Sequence, residues 1–159
     1  MSKNLYPYRR FPTIQAEPTS RAVRGTDAVK NKLHDLCLER DKSIITIECY
    51  PGVNDAEILS LFPKAALIIH ADELAIAPAE LDAKIEHELT DDNVFGIMTT
   101  WRLLDFYPSE ALCAAQKKIN AVESGLVIVY GVGASLVTRG DVLIYADLTR
   151  WEVQLRFRK

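Results

Sequence analysis

The chain has 159 residues, a hydrophobic share of 48%, a charged share of 26% and a formal net charge of −3. This composition excludes a disordered chain, and the length suffices for one domain with a buried core. The sequence lacks the run of roughly 20 apolar residues that a membrane helix needs, and it lacks a signal peptide. We therefore expect a cytoplasmic domain without a membrane partner. Because the slightly acidic balance does not favour nucleic-acid binding, we also expect no nucleic-acid partner.

Residues 1–25 differ from the rest of the chain. They hold five basic residues, one acid, three prolines and the aromatic side chains of Tyr6, Tyr8 and Phe11, without a helical or strand period. An extended arm that lies across a neighbouring surface fits this composition, and an unstructured tail fits it equally. We expect the α/β domain to span residues 26–159.

From residue 26 onwards, helical patterns alternate with short apolar runs. Thr26 or Asp27 can cap a first helix, whose apolar residues from Val29 to Cys37, including Leu36, predict one buried face. Residues 44–49 are β-branched and almost all apolar, which predicts a strand buried on both faces, as in a parallel sheet.

The same cycle then repeats along the chain. The predicted elements are a helix from Asn54 or Asp55, a strand over 65–70, a helix from Pro78, a long helix from Pro108, a strand over 126–130 and a strand over 141–146. Strands that alternate with helices at this spacing predict an α/β fold with three layers, in which helices flank a mostly parallel sheet.

Two interpretations of residues 149–158 stay open. Apolar residues from Trp151 to Phe157 alternate strictly with polar ones, which is the period of a strand. The order of the preceding elements favours a helix instead. Because this strong pattern stops one residue later, at Lys159, we expect the chain to be a piece of a longer protein.

Cysteine and histidine spacing predicts no metal site. Cys37, Cys49 and Cys113 lie far apart among apolar neighbours, which indicates buried, reduced thiols. They form no CxxC pair, and the three histidines lack the spacing of metal ligands.

Ligands of an open parallel sheet gather beyond the carboxyl ends of its strands, and three loops there are candidates. The first runs over residues 48–55, where backbone N–H groups at a helix start can hold an anion. Its candidate ligand-binding residues are Glu48, Tyr50, Gly52 and Asn54. The phosphate-loop pattern GxxxxGK[ST] is missing, so an ordinary capped turn is the alternative.

The other two loops follow the second and third predicted strands. Asp72 is a candidate general base for a substrate hydroxyl, and a solvated loop acid is the alternative. Gly131, Gly133 and Ser135 allow a ligand to approach the backbone closely, with tight helix–strand packing as the alternative.

Two arginines complete the candidate phosphate-binding residues. Arg150 and Arg156 carry guanidinium groups that bind phosphate in a bidentate manner. The polar side of an alternating run is usually solvated, which is the alternative interpretation.

The layout resembles that of uridine-kinase and phosphoribulokinase-type P-loop kinases over roughly residues 44–158. A strand leads into a turn and helix, a second strand ends at Asp72, and the last strand precedes an arginine-bearing segment. The resemblance implies a lid helix over that segment and a nucleotide with Mg²⁺ as cofactor. The chain lacks the lysine and the Mg²⁺ ligand of the phosphate loop, and Tyr130 replaces the acid before Gly131.

Residues 48–53, 91–96, 126–131 and 140–152 resemble the N-terminal region of long bacterial proteins labelled class I mannose-6-phosphate isomerase. In those proteins the isomerase part is a metal-binding cupin further along, whose ligands this chain does not contain. The resemblance implies a kinase-like, non-catalytic leading domain. It would bind a phosphosugar or nucleotide, or assist assembly with the cupin domain.

Two other functions stay open. One is an active sugar or nucleoside phosphotransferase with Asp72 as base and with Arg150 and Arg156 in place of the lost lysine. The other is an assembly module, a homo-oligomer whose arm contacts a partner subunit.

Overall fold

The computed structural model describes residue 15 and residues 22–37, 40–92 and 94–158. Each helix and strand predicted between residues 26 and 146 is confirmed. The elements are α1 (Thr26–Cys37), β1 (Lys42–Cys49), α2 (Asp55–Leu59), β2 (Ala65–His70), α3 (Pro78–Ile85), α4 (Ser109–Ala121), β3 (Gly125–Gly131), α5 (Ala134–Val137), β4 (Val142–Ala146) and α6 (Arg150–Arg156), with 3₁₀ turns at Ala71–Leu74, Glu86–Glu88 and Leu103–Phe106.

The four strands form one sheet in the order β2-β3-β1-β4, and every neighbouring pair is parallel. In the register, Ile45 of β1 pairs with Ile128 of β3 on one side and with Val142 of β4 on the other. The two central strands are the most buried, because they are covered on both faces. The expected parallel α/β sheet is therefore confirmed.

Helices cover both faces of this sheet and give the expected three layers. On one face, residues of α4 and α5 pack against Val127 and Val129. On the other face, Leu33 of α1 and Ile58 of α2 pack near Ile45. The side chains of Ile45, Val127 and Val129 are fully buried. Each such side chain stabilises the fold by about 1.5–3 kcal/mol relative to an exposed one.

After the two central strands, β1 and β3, the chain turns towards opposite faces of the sheet. The helix that follows β1 packs on one face of the sheet, and the helix that follows β3 packs on the other. Ligands of open parallel sheets bind in the crevice that such a reversal leaves at the carboxyl ends of the strands. The candidate loops after β1 and β3 border this crevice.

Residues 150–156 form a helix, so the strand predicted from the alternation is wrong and the helix is confirmed. Thr149 caps α6, since its Oγ1 accepts a hydrogen bond from the backbone N–H of Glu152. Arg156 Nε donates to Glu152 Oε1 at 2.8 Å, an ion pair one turn apart. A cap and an i,i+4 pair stabilise a helix regardless of its apolar period.

Two predictions of burial are wrong. Cys113 on α4 is exposed, whereas Cys49 is buried as expected and the side chain of Cys37 lies outside the described residues. Leu36 on α1 is 51% exposed, because α1 meets the core through Leu33 instead.

The arm predicted over residues 1–25 lies mostly outside the described residues. Across the part of the chain that is described, none of the helices combines the length and apolar character needed to cross a membrane.

Candidate functional site

The loop between β3 and α5 binds a carboxylate of the chain itself. Glu48, near the end of β1, accepts hydrogen bonds from the backbone N–H groups of Gly133 at 2.7 Å and Ser135 at 2.8 Å. Backbone N–H groups that converge in a turn form a concave surface that favours an anion. The Glu48 side chain therefore occupies the backbone donors of the loop that the sequence predicted as a place where a ligand approaches closely.

Asp72 holds the same loop from the neighbouring strand. Its Oδ1 accepts a hydrogen bond from the backbone N–H of Val132 at 2.6 Å. A Cβ at Gly131 would lie 2.6 Å from that oxygen, and Gly131 has φ +113°. The loop needs glycine there because the backbone and the Asp72 carboxylate approach so closely.

Tyr107, which lies just before α4, contacts the same loop. Its hydroxyl donates a hydrogen bond to the carbonyl oxygen of Val132 at 2.6 Å. Burial, together with the charges of Asp72 and Glu48, raises the pKa of Tyr107 to about 12. Sequence reasoning missed this residue, since nothing in its local pattern distinguishes it from a core aromatic residue.

His70 lies at the centre of an acidic cluster at the end of β2. Its ring stacks in parallel on Tyr130, with 4.6 Å between ring centroids. Its nitrogens lie 3.6–3.9 Å from carboxylate oxygens of Asp55, Asp72 and Glu73. Burial, and then the neighbouring carboxylates, raise the pKa of Tyr130.

Sequence reasoning missed His70, although its place two residues before Asp72 was a usable signal. Among the described residues, no group of three or more His, Cys, Asp or Glu side chains is arranged to hold a metal ion.

The loop between β1 and α2 satisfies its backbone donors locally. Asn54 caps α2, since its Oδ1 accepts from the N–H groups of Ala56 at 2.9 Å and Glu57 at 3.3 Å. Gly52 forms the turn with φ +95°, and the Tyr50 side chain is 41% exposed.

A cleft of about 530 Å³ lies beside this loop and brings Gly52, Asn54 and Arg156 together. Its other lining residues are Glu57, Glu152 and Phe157. The cleft contains one cation and two carboxylates, so its lining carries one net negative charge.

Arg156 is already engaged inside the cleft. Its Nη1 donates to the Gly52 carbonyl oxygen at 3.0 Å, and its Nη2 lies 3.7 Å from Glu57 Oε2. The hydrogen bond to Glu152 is the main cause that raises the pKa of Arg156. A phosphorylated ligand would have to compete with two carboxylates for this guanidinium group.

The structure thus divides the predicted site residues into two groups. Glu48, Asp72 and the glycine-containing loop lie together at β3, whereas Gly52, Asn54 and Arg156 line the cleft. Tyr50 and Arg150 are exposed and belong to neither group.

A family model described as a domain of unknown function (DUF8485) matches residues 25–159. The chain belongs to this family. The match starts where the basic, proline-containing segment ends, so it covers all the helices and strands described above. Comparison with curated proteins and with solved structures finds no match.

Proposed function

We propose that this chain is a non-catalytic, kinase-like domain that assists the assembly of a cytoplasmic protein of the mannose-6-phosphate isomerase type. The observation that carries the non-catalytic part of this proposal is the pair of hydrogen bonds that Gly133 and Ser135 donate to Glu48. Phosphoryl transfer needs backbone donors and a cation that hold the phosphates, together with a bound Mg²⁺. In this domain the donors of the loop bind the chain's own carboxylate.

The geometry around Asp72 supports the non-catalytic role. One carboxylate oxygen of Asp72 binds the backbone N–H of Val132, and the other lies 3.6 Å from His70 Nε2. The first contact positions the loop after β3, and the second holds the carboxylate beside the last residue of β2. A general base needs a carboxylate oxygen directed at a substrate proton.

Exposed apolar side chains support the assembly role. The segment between α3 and α4 exposes Val94, Phe95, Ile97 and Met98, and Met98 is 90% exposed. Large apolar side chains grouped on a surface are typical of protein–protein contacts. In the parent protein we place such contacts against the cupin domain or a partner subunit.

Turnover measurements test the non-catalytic role. We expect no ATP consumption above background with a panel of hexose and nucleoside acceptors, for the wild-type chain and for Asp72→Asn alike. Wild-type turnover that disappears in Asp72→Asn would contradict the proposal and establish the alternative, an active phosphotransferase.

A second function is favoured by one observation, the convergence of three predicted ligand residues on the cleft at Arg156. It is the binding of a small phosphorylated ligand, a phosphosugar or a nucleotide with Mg²⁺. The Mg²⁺ ion would offset the negative charge of the lining.

Calorimetry with mannose 6-phosphate, UTP and ATP tests the binding function, and Arg156→Gln and Arg150→Gln form a matched pair. Binding that Arg156→Gln abolishes and Arg150→Gln preserves supports the cleft. Heat signals that stay at background, or that both variants weaken equally, contradict it.

A further inference from the structure

Another cavity lies at the opposite end of the sheet from the crevice, between α1 and the segment that joins α2 to β2. Its volume is about 430 Å³, within the range of roughly 300–1,000 Å³ that is typical of small-molecule sites. Leu126, the second residue of β3, and Lys64, the residue before β2, place it at the amino ends of these two strands. The cavity is therefore separate from the loops that carry the functions proposed above.

Apolar side chains form most of the wall of this cavity. They are Leu33, Leu61, Phe62, Pro63 and Leu126. Phe62 is 6% exposed, and the three leucines are partly buried against the same core cluster. An apolar group that binds here removes apolar surface from water, which is favourable in proportion to the area covered. The cavity therefore favours a ligand with an apolar part.

The polar part of the lining is basic. The remaining lining residues are Lys30, Asn31, His34 and Lys64, so no carboxylate lines the cavity. Within the described part of the chain neither lysine forms an ion pair, in contrast to Arg156 in the cleft beside α6. Because the whole chain carries a net charge of −3, this local positive charge does not follow from the composition. The lining therefore favours an anion.

We propose that this cavity binds a small amphiphilic anion, a molecule with a carboxylate at one end and an apolar chain at the other. The carboxylate contacts the ammonium groups of Lys30 and Lys64, and the chain covers the leucine side chains and Phe62. Lys30 and His34 lie one turn apart on α1 and share a face of the helix, so the imidazole can donate a further hydrogen bond.

The charge of the lining argues against an occupant from this chain itself. Residues 1–21 contain four basic residues and one acid. Such a segment would bring like charges next to Lys30 and Lys64, which is unfavourable in a partly desolvated cavity. An external anion has the complementary charge.

Amide ¹H–¹⁵N spectra of the full chain, titrated with octanoate, test the site. We expect saturable shifts of the amide signals of Leu33, Leu61 and Leu126. Acetate has the carboxylate without the chain, and octylammonium has the chain with the opposite charge, so neither should produce these shifts. Between hexanoate and octanoate, each additional CH₂ group should tighten binding about two- to fourfold.

Two lysines of α1 provide a matched pair of variants, since Lys30 lines the cavity and Lys32 does not. Lys30→Gln should weaken octanoate binding about threefold, the effect of losing one partly exposed ion pair. The double variant Lys30→Gln, Lys64→Gln should weaken it about tenfold, because the two losses add. Lys32→Gln should leave the dissociation constant unchanged, and circular dichroism checks that each variant keeps the wild-type fold.

Four results would overturn the site. They are the absence of saturable shifts at millimolar octanoate, equal shifts with octylammonium, equal weakening by Lys30→Gln and Lys32→Gln, and binding that appears only after residues 1–21 are deleted. The last result would assign the cavity to that segment. ATP turnover would contradict the non-catalytic role proposed above and would leave this site intact.

Discussion

The two strand–helix loops of the crevice satisfy their backbone donors in different ways. After β3, the N–H groups of Gly133 and Ser135 bind Glu48, which is 85 and 87 residues away in sequence. After β1, the first N–H groups of α2 bind Asn54 of the same loop, and a cleft stays open beside them. A ligand can enter beside the loop after β1, but at the loop after β3 it would have to displace the Glu48 carboxylate.

The variants Gly133→Ala and Gly52→Ala test how much space each loop leaves for a side chain. We expect Gly133→Ala to cause the largest loss in the free energy of unfolding. Both residues have positive φ, which strains any side chain by about 1–2 kcal/mol. A Cβ at Gly133 would also lie 2.7 Å from Tyr107 Cζ, whereas at Gly52 the nearest atom is 3.4 Å away. We expect Gly133→Ala to cost roughly 3–5 kcal/mol and Gly52→Ala roughly 1–2 kcal/mol.

Urea denaturation measures both glycine variants. Equal losses would contradict the close contact between Tyr107 and the loop after β3.

Removing the side chain that accepts the backbone hydrogen bonds of each loop gives the next largest loss in the free energy of unfolding. Glu48→Ala leaves two backbone donors without their charged partner and should cost about 3 kcal/mol. Asn54→Ala removes a helix cap and should cost about 1 kcal/mol. The free energies of unfolding are compared under the same conditions, and an Asn54→Ala loss as large as that of Glu48→Ala would remove the distinction between the loops.

Tyr107→Phe has a small effect on stability at neutral pH, similar to that of Asn54→Ala. Loss of the hydrogen bond to Val132 should cost about 1 kcal/mol. The pKa of Tyr107 is raised to about 12 in the folded protein, because burial disfavours the phenolate. In the unfolded chain the Tyr107 hydroxyl ionises near pH 10. The contribution of neutral Tyr107 to the free energy of unfolding is therefore fully present below pH 10 and decreases as the pH rises towards 12.

Unfolding measured between pH 9 and about 12 tests this dependence. Tyr107→Phe should reduce the slope of stability against pH above pH 10, and an unchanged slope would exclude Tyr107 as its source.

The elements of this fold could be predicted because their signals are local. The apolar run of β1 identified a strand buried on both faces, and Asn54 identified the start of α2. The alternation from Trp151 to Phe157 predicted a strand where a helix forms, because the cap at Thr149 and the pair between Glu152 and Arg156 outweigh it.

The contacts of the site could be predicted only in part. The sequence placed Glu48, Asp72 and Gly133 at the correct edge of the sheet, as candidates for ligand binding or catalysis. That Glu48 and Asp72 bind the loop itself depends on contacts 60 or more residues apart in sequence. Periodicity carries no information about such contacts. Tyr107 was missed for the same reason, since its hydroxyl reaches Val132, 25 residues further along.

The central claim is that Glu48 occupies the donors of the loop after β3. Amide ¹H–¹⁵N spectra of the wild-type chain, titrated with inorganic phosphate and with ATP and Mg²⁺, test it most directly. We predict that the amide signals of Gly133 and Ser135 stay in place throughout both titrations. A saturable shift of these two signals would show that an anion displaces Glu48, and it would contradict the claim.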